Sequence, residues 1–279
     1  MPTSRSEMKR RRVGALLAGM CLLAAVPTAA QPGQLSDPFP GRRDVELREL
    51  LAVLAAEVPV LARATPVRRD FERLFPDAVQ RADEALYLDY VRVRLAFEAT
   101  RAGGLWGIAW RITDQLPQSD RIWAQWRAVS LRDADPLPTV TAIAECDELS
   151  ALFAFTTRGL GLSRRSHAGL LWPTSNHTVA VWVVGSGPRA RRIVVPTSQI
   201  FLDAAQSLDT SDFDPWKQKA IYDYSRADAA PGTLLPAALA RHFVQAVQRY
   251  AALSQAELQA MRNQREARQW AQLQSRGGP

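Results

Sequence analysis

The chain has 279 residues, 47% of them apolar, with 35 Lys and Arg against 28 Asp and Glu, a formal charge of +7. Five of the basic residues and one acid lie in the first 30 positions, so residues 31–279 carry only +3, much of it after Met261, where Arg262, Arg265, Arg268 and Arg276 outnumber Glu266. A basic excess split between a leader and a tail gives no groove for nucleic acid, and no nucleic-acid partner is expected.

Residues 1–30 read as a secretory signal. Lys9-Arg10-Arg11-Arg12 is a positive start, Val13 to Val26 is an apolar run, and Thr28-Ala29-Ala30 puts small residues at a cleavage site near Ala30. The run is short and soon meets Pro27 and Pro32, which argues against a membrane span; an uncleaved anchor is the alternative. The chain is therefore expected to be exported, periplasmic or secreted, with no span in the mature form. The sequence holds two cysteines, Cys21 and Cys146, and the first leaves with the leader. A solitary thiol outside the cytosol is either a buried small hydrophobe or a nucleophile.

Residues 31–43 form a Pro/Gly-rich lead-in. Residues 44–132 form a helical portion. Val45, Leu47, Leu50, Leu51, Leu54 and Val58 share one helical face, with Pro59 ending or kinking the helix. Val67 to Leu74 predicts a short helix. Pro76 stands at a first helical position, and a long helix is expected from Ala78 to Arg101, stopped by Gly103-Gly104. Trp106, Trp110, Trp123 and Trp126 come next at helical spacings, as core or as a carbohydrate or peptide groove, with core favoured. Asp114 to Ser119 reads as a turn, and Asp133 to Pro138 as a linker.

Residues 133–232 hold the central stretch. Glu145 to Leu160 predicts a helix, apolar on more than one side and closed by Gly159 and Gly161. Ser163 to His167 reads as a basic loop. Thr178 to Val184 alternates bulky and small residues, Gly185-Ser186-Gly187-Pro188 turns, and Arg192 to Val195 returns, giving a β-hairpin. Asp209, Asp212 and Asp214 lie in an acidic loop without the glycine and closing Glu of a calcium site. Residues 233–279 predict helices at Leu234 to Leu253 and Gln255 to Leu273, then a tail.

The chemistry lies between Thr139 and Asp203. Cys146 sits at a helix head, where unpaired N–H groups and the positive dipole end favour a thiolate. His177 comes 31 residues later and opens a strand, so packing can fix its ring. His167, in the basic loop, reads as solvated, and His242, in the late helix, as a surface or satisfied side chain. Glu145, Asp147 and Glu148 complement the helix dipole. One thiol and one imidazole in no known ligand spacing give no metal site. There is no phosphate-binding loop and no dinucleotide fingerprint, so no cofactor is expected.

Cys146 at a helix head, His177-Thr178-Val179-Ala180-Val181-Trp182 and the strand end Val194-Val195-Pro196-Thr197 resemble the transglutaminase-like superfamily of papain-like cysteine enzymes. The resemblance covers about 65 residues. It implies an ordered Cys, His, Asp triad in an α+β fold, with a central helix and antiparallel strands, a helical N-terminal portion and bracing C-terminal helices. The orienting Asp is expected where this chain has Val195. Thr197, Ser198 or Gln199 could take that place, and papain-like enzymes can use an amide there, which points to Gln199. No Gln precedes Cys146 as oxyanion donor; Thr141 or an upstream Trp is the substitute considered.

The expectation is thus an exported cysteine enzyme acting on an amide or peptide bond through Cys146, His177 and Gln199. Hydrolysis and acyl transfer stay open, and the partner is a protein or peptide substrate, such as a cell-wall peptide. The alternative is a catalytically inactive binding or scaffold module on the same fold.

Overall fold

The computed structural model describes residues 37–111, 121–132, 135–174, 177–198, 219–222, 232–254, 256–261, 263, 264 and 267, except the side chains of residues 171–174, 177 and 219–222. The leader, Asp114 to Ser119, Gln199, Asp209 to Asp214 and most of Gln255 to Leu273 lie outside the described residues.

The fold is α+β. In chain order the elements are β1 (Asp44–Glu46), α1 (Leu47–Ala56), α2 (Val58–Ala62), α3 (Thr65–Leu74), α4 (Pro76–Gln80), α5 (Glu84–Thr100), β2 (Ile108–Trp110), α6 (Arg121–Ala128), β3 (Ala142–Ala144), α7 (Cys146–Gly159), β4 (Ser166–Thr174), β5 (His177–Val184), β6 (Arg191–Val195), β7 (Lys219–Tyr222), β8 (Leu234–Pro236) and α8 (Ala237–Ala252). The four-stranded sheet runs in the order β6-β5-β4-β7, with every pairing antiparallel. Helix α7 packs on β4 and β5, and α5 packs behind α7.

The predicted hairpin is β5–β6, with Ala180 opposite Val195 and Val184 opposite Arg191. Its two faces bury different sets of side chains, as strand alternation requires. Ala180, Trp182, Ile193 and Val195 join the main core with α7 and α5, while Val179, Val181, Val183, Ala190 and Val194 form a separate cluster. Trp182 lies edge-on to Phe75 and tilted against Tyr90, so this sheet face meets the helical portion directly. The same core takes in Leu47, Leu54, Tyr87, Trp126, Phe153 and Phe243. From Asp37 onward the chain forms one compact unit.

Several local expectations are corrected. The long helix expected from Ala78 is two, α4 and α5, because Ala82 takes a left-handed φ of 51° and Asp83 restarts the helix by accepting from the Leu86 N–H at 3.1 Å. The loop at Ser163 to His167 ends at Arg165, and a nine-residue strand succeeds it. Its Ala168-Gly169-Leu170-Leu171 stretch lacks polar alternation because it is an inner strand, paired on both sides. Asp44 to Glu46 and Leu234 to Pro236 are strands paired with each other, where helix starts were expected. Trp106, Trp123 and Trp126 are core: Trp126 stands edge-on to both other indoles, Trp123 stands edge-on to Phe155, and Trp106 stacks on Phe243, while Trp110 is half-buried on β2.

Candidate active site at the head of helix α7

The approach to Cys146 is built from β3. That strand pairs in parallel with β2, Ile108 opposite Ala142 and Trp110 opposite Ala144. On its other side the Gln125 side chain acts like a strand: its amide donates to the Ile143 carbonyl and accepts from the Ile143 N–H, both at 2.8 Å. Glu145 is extended and Cys146 is the first helical residue. Glu148, in the third helical position, accepts from the Glu145 N–H at 2.9 Å and pairs with Arg121 at 3.4 Å. The helix start is thereby fixed to one position.

Cys146 is half-buried. Main-chain N–H groups of Thr178 and Asp147 favour its charged form. Thr178 comes directly after His177, so the first turn of α7 meets the first residues of β5. Below the sulfur, one turn along α7, the Ser150 Oγ lies 2.6 Å from the Cys146 carbonyl, 3.4 Å from the Thr178 carbonyl and 3.0 Å from Thr197 Oγ1. The head of α7, the start of β5 and the segment after β6 therefore converge. The Thr178 amide, Ser150 and Gln125 were missed by sequence reasoning. Only the (i, i+4) spacing of Ser150 from Cys146 could have hinted at one of them, through the back-bond a helical serine makes.

Electrostatics at the sulfur differ from the expectation drawn from the helix dipole. Burial pushes the Cys146 thiol up, and the carboxylates of Asp147 and Glu145 push the same way; the two N–H groups oppose them. Asp147 itself is raised to about 6, chiefly by burial and then by the neighbouring Glu148, against donation from main-chain N–H groups. Its Oδ1 is buried with no hydrogen-bond partner among the described residues.

The remaining sequence candidates take other places. Gln199 lies outside the described residues. Val195 is fully buried in the main core beside Ala180, so position 195 faces hydrocarbon and could not host a carboxylate without a partner. Thr141 is not an oxyanion donor: its hydroxyl donates to the Trp106 carbonyl and accepts from Trp126 Nε1 inside the core. His167 is exposed on β4, and His242 Nε2 lies 2.9 Å from the Asp135 carbonyl. Among the described residues no group of three or more His, Cys, Asp or Glu is placed to hold a metal, and no single helix is long and apolar enough to cross a membrane. No family model, no curated protein and no solved structure matches this chain.

Proposed function

We propose that this chain is an exported cysteine enzyme of transglutaminase-like type, built on a papain-like core and acting on an amide or peptide bond. The observation that carries this reading is the meeting of the first turn of α7 with the start of β5, where the Ser150 hydroxyl lies 2.6 Å from the Cys146 carbonyl and 3.4 Å from the carbonyl of Thr178, the residue after His177: it brings a half-buried thiol at a helix head beside that strand. The Cys146 sulfur attacks the carbonyl carbon while the His177 imidazole takes the thiol proton. The tetrahedral adduct collapses to a thioester as the same proton passes to the departing amine. Water then gives hydrolysis, and an amine gives transfer; a protein or peptide is the substrate class.

Burial and the two carboxylates hold the thiol in its neutral form, so the imidazole must do the activating. The test is the rate of Cys146 alkylation by iodoacetamide from pH 5 to 9, read by mass spectrometry. A reactive fraction persisting below pH 7 and lost in His177→Ala is the expected result. An ordinary thiol profile, unchanged by His177→Ala, would leave a non-catalytic binding or scaffold module as the better reading. The raised thiol and the core-facing Val195 favour that alternative.

A further inference from the structure

We propose that the end of the four-stranded sheet farthest from Cys146 is a docking surface for anionic phospholipid headgroups. Between residues 31 and 261 acids and bases balance, 26 of each. They are not evenly spread. Residues 149–202 hold six arginines, Arg158, Arg164, Arg165, Arg189, Arg191 and Arg192, with no lysine and no acid. The ladder gathers five of them. The Gly185 N–H donates to the Arg165 carbonyl at 2.7 Å, Val184 stands between Ser166 and Arg191, and Val183 stands between His167 and Arg192. The starts of β4 and β6 and the β5–β6 turn, which carries Arg189, therefore meet at one end of the sheet.

Two of the five are tied into the fold: Arg165 pairs with Asp83 at 2.9 Å, and Arg191 lies over the Phe75 ring and donates to the Leu74 carbonyl. Arg164, Arg189 and His167 are exposed. So are Gly185, Ser186, Gly187 and Pro188, and among the described residues this tip exposes no aromatic or large aliphatic side chain. A protein partner would need such an anchor at the centre of its interface. A layer of phosphodiesters needs charge, and the planar fork of arginine matches its oxygens. The tip is also remote from the thiol. Thr178, beside the head of α7, is six residues before Val184 on β5, about 20 Å at the rise of a strand. Docking by the tip therefore holds Cys146 off the lipid.

The experiment is flotation of the exported chain, one compact unit from Asp37 onward, with vesicles of phosphatidylcholine alone or of an equal mixture with phosphatidylglycerol. It is run in about 0.1 M and about 1 M salt, between which the screening length falls from about 10 to about 3 Å. The chain should float with the mixed vesicles at the lower salt, leave them at the higher, and ignore phosphatidylcholine. Arg164→Gln with Arg189→Gln should weaken binding about fivefold for each charge removed. The same pair should keep the wild-type urea midpoint and Cys146 alkylation, because both side chains are exposed and far from the thiol. Arg262→Gln with Arg265→Gln takes as much charge from the tail and should leave binding unchanged. A tip pair that binds like the wild type, a tail pair that weakens binding as much, or equal flotation with both kinds of vesicle overturns the proposal. No flotation with either kind overturns it too, and leaves the tip to an acidic protein.

Discussion

The Oγ of Ser150 lies 3.0 Å from Oγ1 of Thr197, 47 residues further along the chain. Ser150 has a single proton, and the 2.6 Å contact to the Cys146 carbonyl claims it, so Thr197 donates to Ser150. Both side chains are buried. One pair of hydroxyls thus ties the head of α7 to the segment after β6, with the Thr178 carbonyl alongside.

Thr197→Val removes that donor while keeping the shape. The Ser150 oxygen is then left with an unfilled acceptor position in a dry setting, and the expected loss is about 1–2 kcal/mol. Urea unfolding should show a lower midpoint with an unchanged m-value. A midpoint within error of the wild type would mean that the two hydroxyls do not depend on each other.

The outline of the site could be read from the residues. A helix with Cys146 near its head came from the apolar periodicity of Leu149, Leu152, Phe153 and Phe155, though it was expected to start at Glu145 and starts one residue later, and the hairpin came from alternation around Gly185 to Pro188. What could not be read was convergence. Nothing local in Gln125 says that its amide will stand in for a strand beside Ile143, and nothing in Thr178 says that its carbonyl will meet the Ser150 hydroxyl. The acidic thiol expected from the helix dipole is not found either, because burial and the Asp147 carboxylate oppose the field of α7. Strand β4 was missed because an inner strand lacks the polar beat that marks a half-exposed one.

Asp147 should make stability and reactivity depend on pH together. Its folded-state value, about 6, lies above its ordinary value of 3.8, so the folded chain holds this proton more tightly than the unfolded one. Stability contributed by the neutral acid is therefore present below about pH 4 and is lost as pH rises through 6. Asp147→Asn should match the wild type near pH 4 and become relatively more stable between pH 4 and 6, with no further divergence above that. It should also lower the Cys146 thiol and speed its alkylation at pH 7, since the carboxylate pushes that thiol up. Denaturation midpoints of both proteins at pH 4, 5, 6 and 7 check the first half; a constant gap across the series would contradict it.

Arg94 carries a buried charge inside the helical portion. Its guanidinium is 2% exposed, 3.0 Å from Glu98, 3.8 Å from Asp70 and 3.4 Å from the Tyr250 hydroxyl. Arg94→Met strands the facing carboxylates, with an expected cost of about 3–5 kcal/mol. Arg94→Met with Glu98→Leu removes both partners of the closest pair and should cost less than the single change. Urea midpoints of the two variants decide it, and a double variant weaker than Arg94→Met would show that Glu98 has a larger role with Arg101, which it meets at 3.3 Å.

Gly104 closes the turn between α5 and β2. A Cβ there would stand 2.6 Å from the Glu98 carbonyl and 2.8 Å from the Arg101 carbonyl, both main-chain atoms. Those same oxygens accept from the N–H groups of Leu105 and Gly104, each at 2.8 Å, so they cannot retreat without breaking the bonds that form the turn. Gly104→Ala is expected to cost about 1–3 kcal/mol through backbone displacement. Gly161→Ala is the control: its φ is +82° but a Cβ there meets open space, so only conformational strain remains, on the order of 1 kcal/mol. The displacement should also travel. Ala102, two residues before Gly104, donates its N–H to the Thr197 carbonyl and so helps hold the segment beyond β6 against Ser150 and Thr178. Gly104→Ala should therefore alter Cys146 alkylation while Gly161→Ala leaves it unchanged. Two equally unperturbed thiol profiles would show that the α5–β2 turn stabilises the fold without positioning the site.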